Sequence, residues 1–126
     1  MRILFVDDNP DLRALIPMLL AKRGYLVQTA ATAGEALVCA CDTVPDVVLS
    51  DISMPEMDGY DFMAALRAQS DQPFCSVALT GFGGPSDFSR AREAGFDECL
   101  TKPIDFEKLF NILDRLQQTL VVDGQN

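Results

Sequence analysis

The chain has 126 residues, 48% of them hydrophobic, which fits one domain of ordinary size with a real core. Its net charge is −9 and its pI about 4.2, and its 10 Lys and Arg residues are scattered, which excludes a phosphate-gripping nucleic-acid surface and suits a basic protein partner or a bound cation. It contains no histidine, which removes His general bases, Ser-His triads, His metal ligands and a phosphohistidine of its own.

In chain order, Ile3 to Val6 is the first of a series of short apolar runs. It is too short for a signal peptide and ends in Asp7-Asp8, and no apolar stretch is long enough to span a bilayer. A cytoplasmic protein with no membrane insertion is expected. Asn9-Pro10 reads as an N-cap followed by proline at the first helical position, in a helix that stops at Gly24. Pro17 lies inside that helix and should remove a hydrogen bond or kink it. Leu26 to Thr29 is the second run, and Thr32 with Glu35 reads as a capping box for the second helix. Val47 to Leu49 follows, and a third helix starts near Asp58-Gly59. After Cys75 to Leu79, a fourth helix is expected from about Ser86 to Ala94, ended by Gly95. Glu98 to Thr101 is the last run. The final helix begins near Asp105 and carries an apolar stripe of Phe106, Leu109, Phe110, Leu113, Leu116 and Leu120.

Continuous apolar runs bounded by turns suit buried parallel strands, and their alternation with helices predicts an α/β fold with helices on both faces of the sheet. Right-handed crossovers follow from strand twist. The tail, residues 123–126, is expected to fray. Cys39, Cys41, Cys75 and Cys99 match no zinc spacing, and Cys39 and Cys41 point about 200° apart on a helix, so reduced structural thiols are expected.

Sites in open α/β sheets form at the carboxyl ends of strands. Here those ends carry Asp7-Asp8, Asp51, Thr80-Gly81 and Lys102-Pro103. Carboxylates clustered about 5 Å apart repel by ~3 kcal/mol per pair at an effective dielectric near 20, so such a cluster raises a pKa or binds a cation. Oxygen-only ligands select a hard ion, Mg²⁺ or Mn²⁺, and Mg²⁺ readily adds a phosphate oxygen to one or two carboxylates. A carboxylate can attack phosphorus to give an acyl phosphate, which Lys102 and Thr80 can stabilise.

The set Asp7-Asp8, Asp51, Thr80 and Lys102-Pro103, with Asp51-Ile52-Ser53-Met54-Pro55-Glu56-Met57-Asp58-Gly59, resembles the receiver domain of two-component response regulators and its D-x-x-M-P-x-M-D-G signature. The resemblance runs from Ile3 to about Leu120. It implies a receiver over residues 1–122 with a flavodoxin-like three-layer sandwich, a five-stranded parallel sheet of order 2-1-3-4-5 and five helices. It implies that Asp51 accepts a phosphoryl group from a histidine kinase or a histidine phosphotransfer protein and turns over no external substrate. Asp8 and Asp51 would bind Mg²⁺ together with the backbone carbonyl of Ser53, and Asp7 would act through water. Thr80 and Lys102 would hold phosphoryl oxygens, and the Lys102–Pro103 peptide would be cis. Output would be changed binding to a downstream protein target or onward phosphorelay, from a stand-alone regulator or the receiver of a hybrid histidine kinase. Met1 leans towards the stand-alone form, and Ala78-Leu79-Thr80-Gly81-Phe82-Gly83 resembles hybrid-kinase receivers. A pseudo-receiver that binds partners without phosphorylation is the alternative, opposed by the intact acidic site.

Cys99 departs from the family, which usually carries Tyr or Phe at that position. The resemblance therefore shifts the expected switching to the loop after Thr80 and the fourth helix. Phe82 is expected to shield the acyl phosphate. Rival chemistries fail locally. A haloacid-dehalogenase-like phosphohydrolase needs an acid where Ser53 stands, and a flavin or dinucleotide site needs a Gly- or Ser/Thr-rich first loop where Asp7-Asp8-Asn9-Pro10-Asp11 stands.

Overall fold

The computed structural model describes residues 1–81 and 84–124, with the side chains of Pro85 and of residues 119–124 set aside. Five strands, β1 (Arg2–Val6), β2 (Leu26–Ala30), β3 (Val47–Asp51), β4 (Cys75–Thr80) and β5 (Glu98–Thr101), form one parallel sheet in the order β2-β1-β3-β4-β5. Five helices alternate with them: α1 (Pro10–Ala21), α2 (Ala33–Asp42), α3 (Gly59–Gln69), α4 (Pro85–Ala94) and α5 (Phe106–Gly124). This is the expected flavodoxin-like architecture.

Alternation along the strands builds two cores. Ile3, Phe5, Val47, Leu49, Val77 and Leu79 face one side, where Ile16 and Leu20 of α1 and Leu109 and Leu113 of α5 cover them. Leu4, Val6, Val48 and Ala78 face the other, under Ala36 and Ala40 of α2, Phe62 and Leu66 of α3 and Ala91 of α4. Both faces of β3 are buried, which is why its sequence reads as a continuous apolar run. β2 is an edge strand and correspondingly exposed.

The helix ends obey their sequence punctuation. The Asn9 side chain accepts from the Asp11 and Leu12 amides at 2.9 and 3.3 Å, with Pro10 as first helical residue. Pro17 sits within α1, which still runs to Ala21, and Gly24 follows with a left-handed φ of 89°. Thr32 caps Glu35 at 3.1 Å, but Glu35 returns its carboxylate to the amide of Ala31 rather than of Thr32, at 2.9 Å. Gly95 closes α4 at φ 114°. β3 runs two residues beyond its apolar run, because Ser50 and Asp51 keep their ladder positions opposite Ala78 and Leu79. The stripe of α5 buries Leu109 and Leu113 and half-buries Phe106, Phe110 and Leu116. Leu120, Phe82, Gly83 and the tail residues Gln125 and Asn126 lie outside the described side chains. Cys39, Cys41, Cys75 and Cys99 are not joined by disulfides.

Candidate functional site

The sheet register assembles the site. Val6 lies opposite Ser50, Asp51 opposite Leu79, and Thr80 opposite Thr101. One further residue on each strand puts Asp7, Asp51, Thr80 and Lys102 along the same carboxyl edge. Asp7 and Asp51 are 0% and 5% exposed, whereas Asp8 faces solvent. Carboxylate oxygens of Asp7, Asp8 and Asp51 lie within 4.8 Å of one another, so the cluster has the spacing and the all-oxygen donor set of a hard divalent cation site.

Lys102 is the cation already in place. Its Nζ donates to Asp7 Oδ2 at 3.0 Å and sits 3.3 Å from Asp51 Oδ1. The Ser53 amide donates to Asp51 Oδ1 at 3.3 Å. The Lys102–Pro103 peptide is cis, and the Lys102 amide donates to the Thr80 carbonyl at 2.7 Å. Thr80 itself is 3% exposed at the end of β4. Burial first, and then the charge of Asp7, pushes the Asp51 carboxyl above the ordinary aspartate range, against Lys102 and the Ser53 amide. Burial would lower the Lys102 ammonium, but its bond to Asp7 and the charge of Asp51 outweigh this and hold it above the usual value. Among the described residues, no buried side-chain N or O is left without a hydrogen-bond partner.

The loop after β3 is shaped around Asp51. The Gly59 amide donates to the Ile52 carbonyl at 2.8 Å. A Cβ on Gly59 would stand 2.5 Å from the Asp51 carbonyl oxygen and 2.7 Å from Ile52 Cα, so only glycine fits. Glu56 takes a left-handed φ of 70° in the same loop. Asp58 caps α3 by accepting from the Asp61 amide at 2.9 Å. The sequence places only the start of the third helix at Asp58-Gly59. The close approach of Gly59 to Asp51 is visible only once the strand and helix are brought together. Arg13 was also missed: its Nη1 donates to the Asp7 carbonyl at 2.9 Å from the first turn of α1.

Cys99 lies on β5 opposite Ala78, half-buried against the core under α4. With Phe88, Ala91, Arg92, Phe96, Asp97 and Glu98 it lines a cavity of about 160 Å³ between α4 and β5. Burial, then Asp87, raises its thiol pKa, as for an inert buried thiol. No helix among the described residues is long and apolar enough to cross a membrane.

Comparison with known proteins identifies the family. The response regulator receiver domain family model matches residues 3–114, so the chain belongs to that family. It is 35% identical over 116 residues to an uncharacterised 14.6 kDa protein of Leptolyngbya boryana, covering 91% of this chain and 88% of that one. It is 38% identical over 122 residues to the sensor histidine kinase RcsC of Salmonella typhi, covering 97% of this chain but 12% of the kinase. The structure of the chemotaxis response regulator CheY4 of Vibrio cholerae superposes with a TM-score of 0.85 at 34% identity, covering 91% of this chain and 97% of that one.

Proposed function

We propose that Asp51 accepts a phosphoryl group from a phosphohistidine donor, a histidine kinase or a histidine phosphotransfer protein, in a reaction that needs Mg²⁺. The observation that carries this is a nearly buried carboxylate at the carboxyl end of β3, with an ammonium 3.3 Å away and two further carboxylates at hand. One Asp51 oxygen attacks phosphorus, the P–N bond breaks, and the imidazole nitrogen leaves with the electron pair. The new acyl phosphate adds negative charge to an acidic pocket, where Lys102 can turn part of its attention from Asp7 to a phosphoryl oxygen and Thr80 can donate its hydroxyl hydrogen.

Asp8, Asp51 and the Ser53 carbonyl would hold the ion, with Asp7 acting through water. Bound there, Mg²⁺ neutralises charge that develops on the transferred group. No external substrate is turned over. The phosphorylated domain acts by changed binding to a protein target in the cytoplasm or by passing the phosphoryl group onward. The pseudo-receiver alternative has no observation in its favour.

The test is incubation with acetyl phosphate and Mg²⁺, followed by intact mass measurement. We expect one added phosphoryl group in the native chain and none in Asp51→Asn. The same gain in Asp51→Asn, or no gain from acetyl phosphate and none from a panel of phosphohistidine donors, would overturn the reading.

A further inference from the structure

We propose that the stack of Arg90 on Tyr60 carries the signal from Asp51 to α4. This rests on Asp51 being the acceptor. The first turn of α3, rather than β5, is then the coupling element.

Three observations converge on this pair. First, position 99, where the family usually carries Tyr or Phe, holds a cysteine, so β5 offers no ring there. Second, Gly59 is pressed so tightly on the Asp51 carbonyl that a Cβ would stand 2.5 Å from it. Packed contacts without slack pass displacement on instead of absorbing it, so a shift of the Asp51 backbone reaches the first turn of α3. Third, the next residue is Tyr60, 9% exposed, and the Arg90 guanidinium carbon lies 4.2 Å above its ring centre. Arg90 itself is exposed, on α4. The chain of contacts therefore runs Asp51, Gly59, Tyr60, Arg90.

The anchoring of α4 suits it to respond. Ala91 is its one buried side chain among the described residues, and its N-cap, Gly84, offers no side-chain hydrogen bond. Its C-terminal end is fixed: Arg67 donates to the Gly95 carbonyl from Nε and Nη2 at 3.2 and 2.8 Å. A helix pinned at its C-terminal end and gripped at mid-length by the Tyr60 ring pivots when that ring moves.

Backbone amide shifts, measured with and without excess acetyl phosphate and Mg²⁺, test this, with phosphoryl gain followed by intact mass on the same samples. The native chain should show shifts at residues 59–62 and across 86–94. Arg90→Ala, an exposed substitution that spares the fold, should keep the phosphoryl gain and the shifts at 59–62 but at least halve those of α4. Tyr60→Leu, which keeps apolar bulk without the ring, should do the same. Full-sized α4 shifts in Arg90→Ala, or a phosphorylated native chain with α4 unmoved, would overturn the coupling while leaving Asp51 as acceptor. A native chain that gains no phosphoryl group would remove the acceptor reading and the coupling with it.

Discussion

Asp51 is a carboxylate under pressure. Burial and its neighbour Asp7 hold its pKa above the ordinary value. Such a group binds its proton more tightly in the folded chain than in the unfolded one. Its contribution to stability is therefore full below the unfolded pKa, falls as pH rises through the window up to the raised folded value, and stays low above it. Asp51→Asn should flatten the pH dependence in that window. At pH 7 in a chelator it should stabilise the fold by ~1 kcal/mol, about 3 °C in Tm, by removing one of three mutually repelling acids. Thermal melts between pH 4 and 8 check this, and a variant less stable than the native chain at pH 7 would contradict it. Gly59 makes the opposite prediction. Gly59→Ala places a methyl group against backbone that cannot yield, and should cost more than about 2 kcal/mol in urea unfolding and displace the Asp51 carbonyl. Spacing at strand ends made the acids, Thr80 and Lys102 legible in the sequence, because a parallel sheet lines its carboxyl ends along one edge. The reason for Gly59 was not legible, since the contact joins a strand end to a helix start across a folded loop.

Elements were legible where the signal is local. Asn9-Pro10, Thr32 with Glu35 and Gly95 mark helix ends through their own backbone chemistry, and the structure has α1 and α2 beginning and α4 ending beside them, whereas α1 stops at Ala21, three residues short of Gly24. β3 outran its apolar run because pairing with β4, not hydrophobicity, decides where a strand stops. Arg67 was invisible for a similar reason. From α3 it donates to the carbonyls of Phe74 and Gly95, to Ser76 Oγ and to Asp97 Oδ2, and its guanidinium carbon lies 4.0 Å above the Phe74 ring centre. Its partners are distant in sequence and share no motif. These bonds hold α3, β4, the end of α4 and the start of β5 together. Arg67→Ala should therefore destabilise the fold by about 2–3 kcal/mol, because it removes the donor to the Phe74 carbonyl, the ion pair with Asp97 and the stack on the Phe74 ring, while Ser76 keeps its bonds to Gly95 and Asp97. Loss below ~1 kcal/mol in urea unfolding would show that water replaces the guanidinium.

At the scale of the whole molecule, two cores clamp a five-stranded sheet and leave one polar edge, where α/β folds place their chemistry. The order β2-β1-β3-β4-β5 sets Asp51, at the end of β3, beside the end of β1, so Asp7 and Asp8 in the first residues after β1 meet it directly. Family membership came early because motif and spacing span the chain, and the family match covers residues 3–114. The switching route stayed hidden because it depends on which face of α4 meets α3. The central claim is that Asp51 alone takes the phosphoryl group. Borohydride reduction of the acetyl-phosphate-treated chain converts an acyl phosphate to an alcohol, leaving homoserine at the acceptor, and peptide mass spectrometry then locates it. Homoserine at position 51 and nowhere else is the predicted result. Homoserine at Asp7 or Asp8, or phosphorylated protein that yields none, would contradict it.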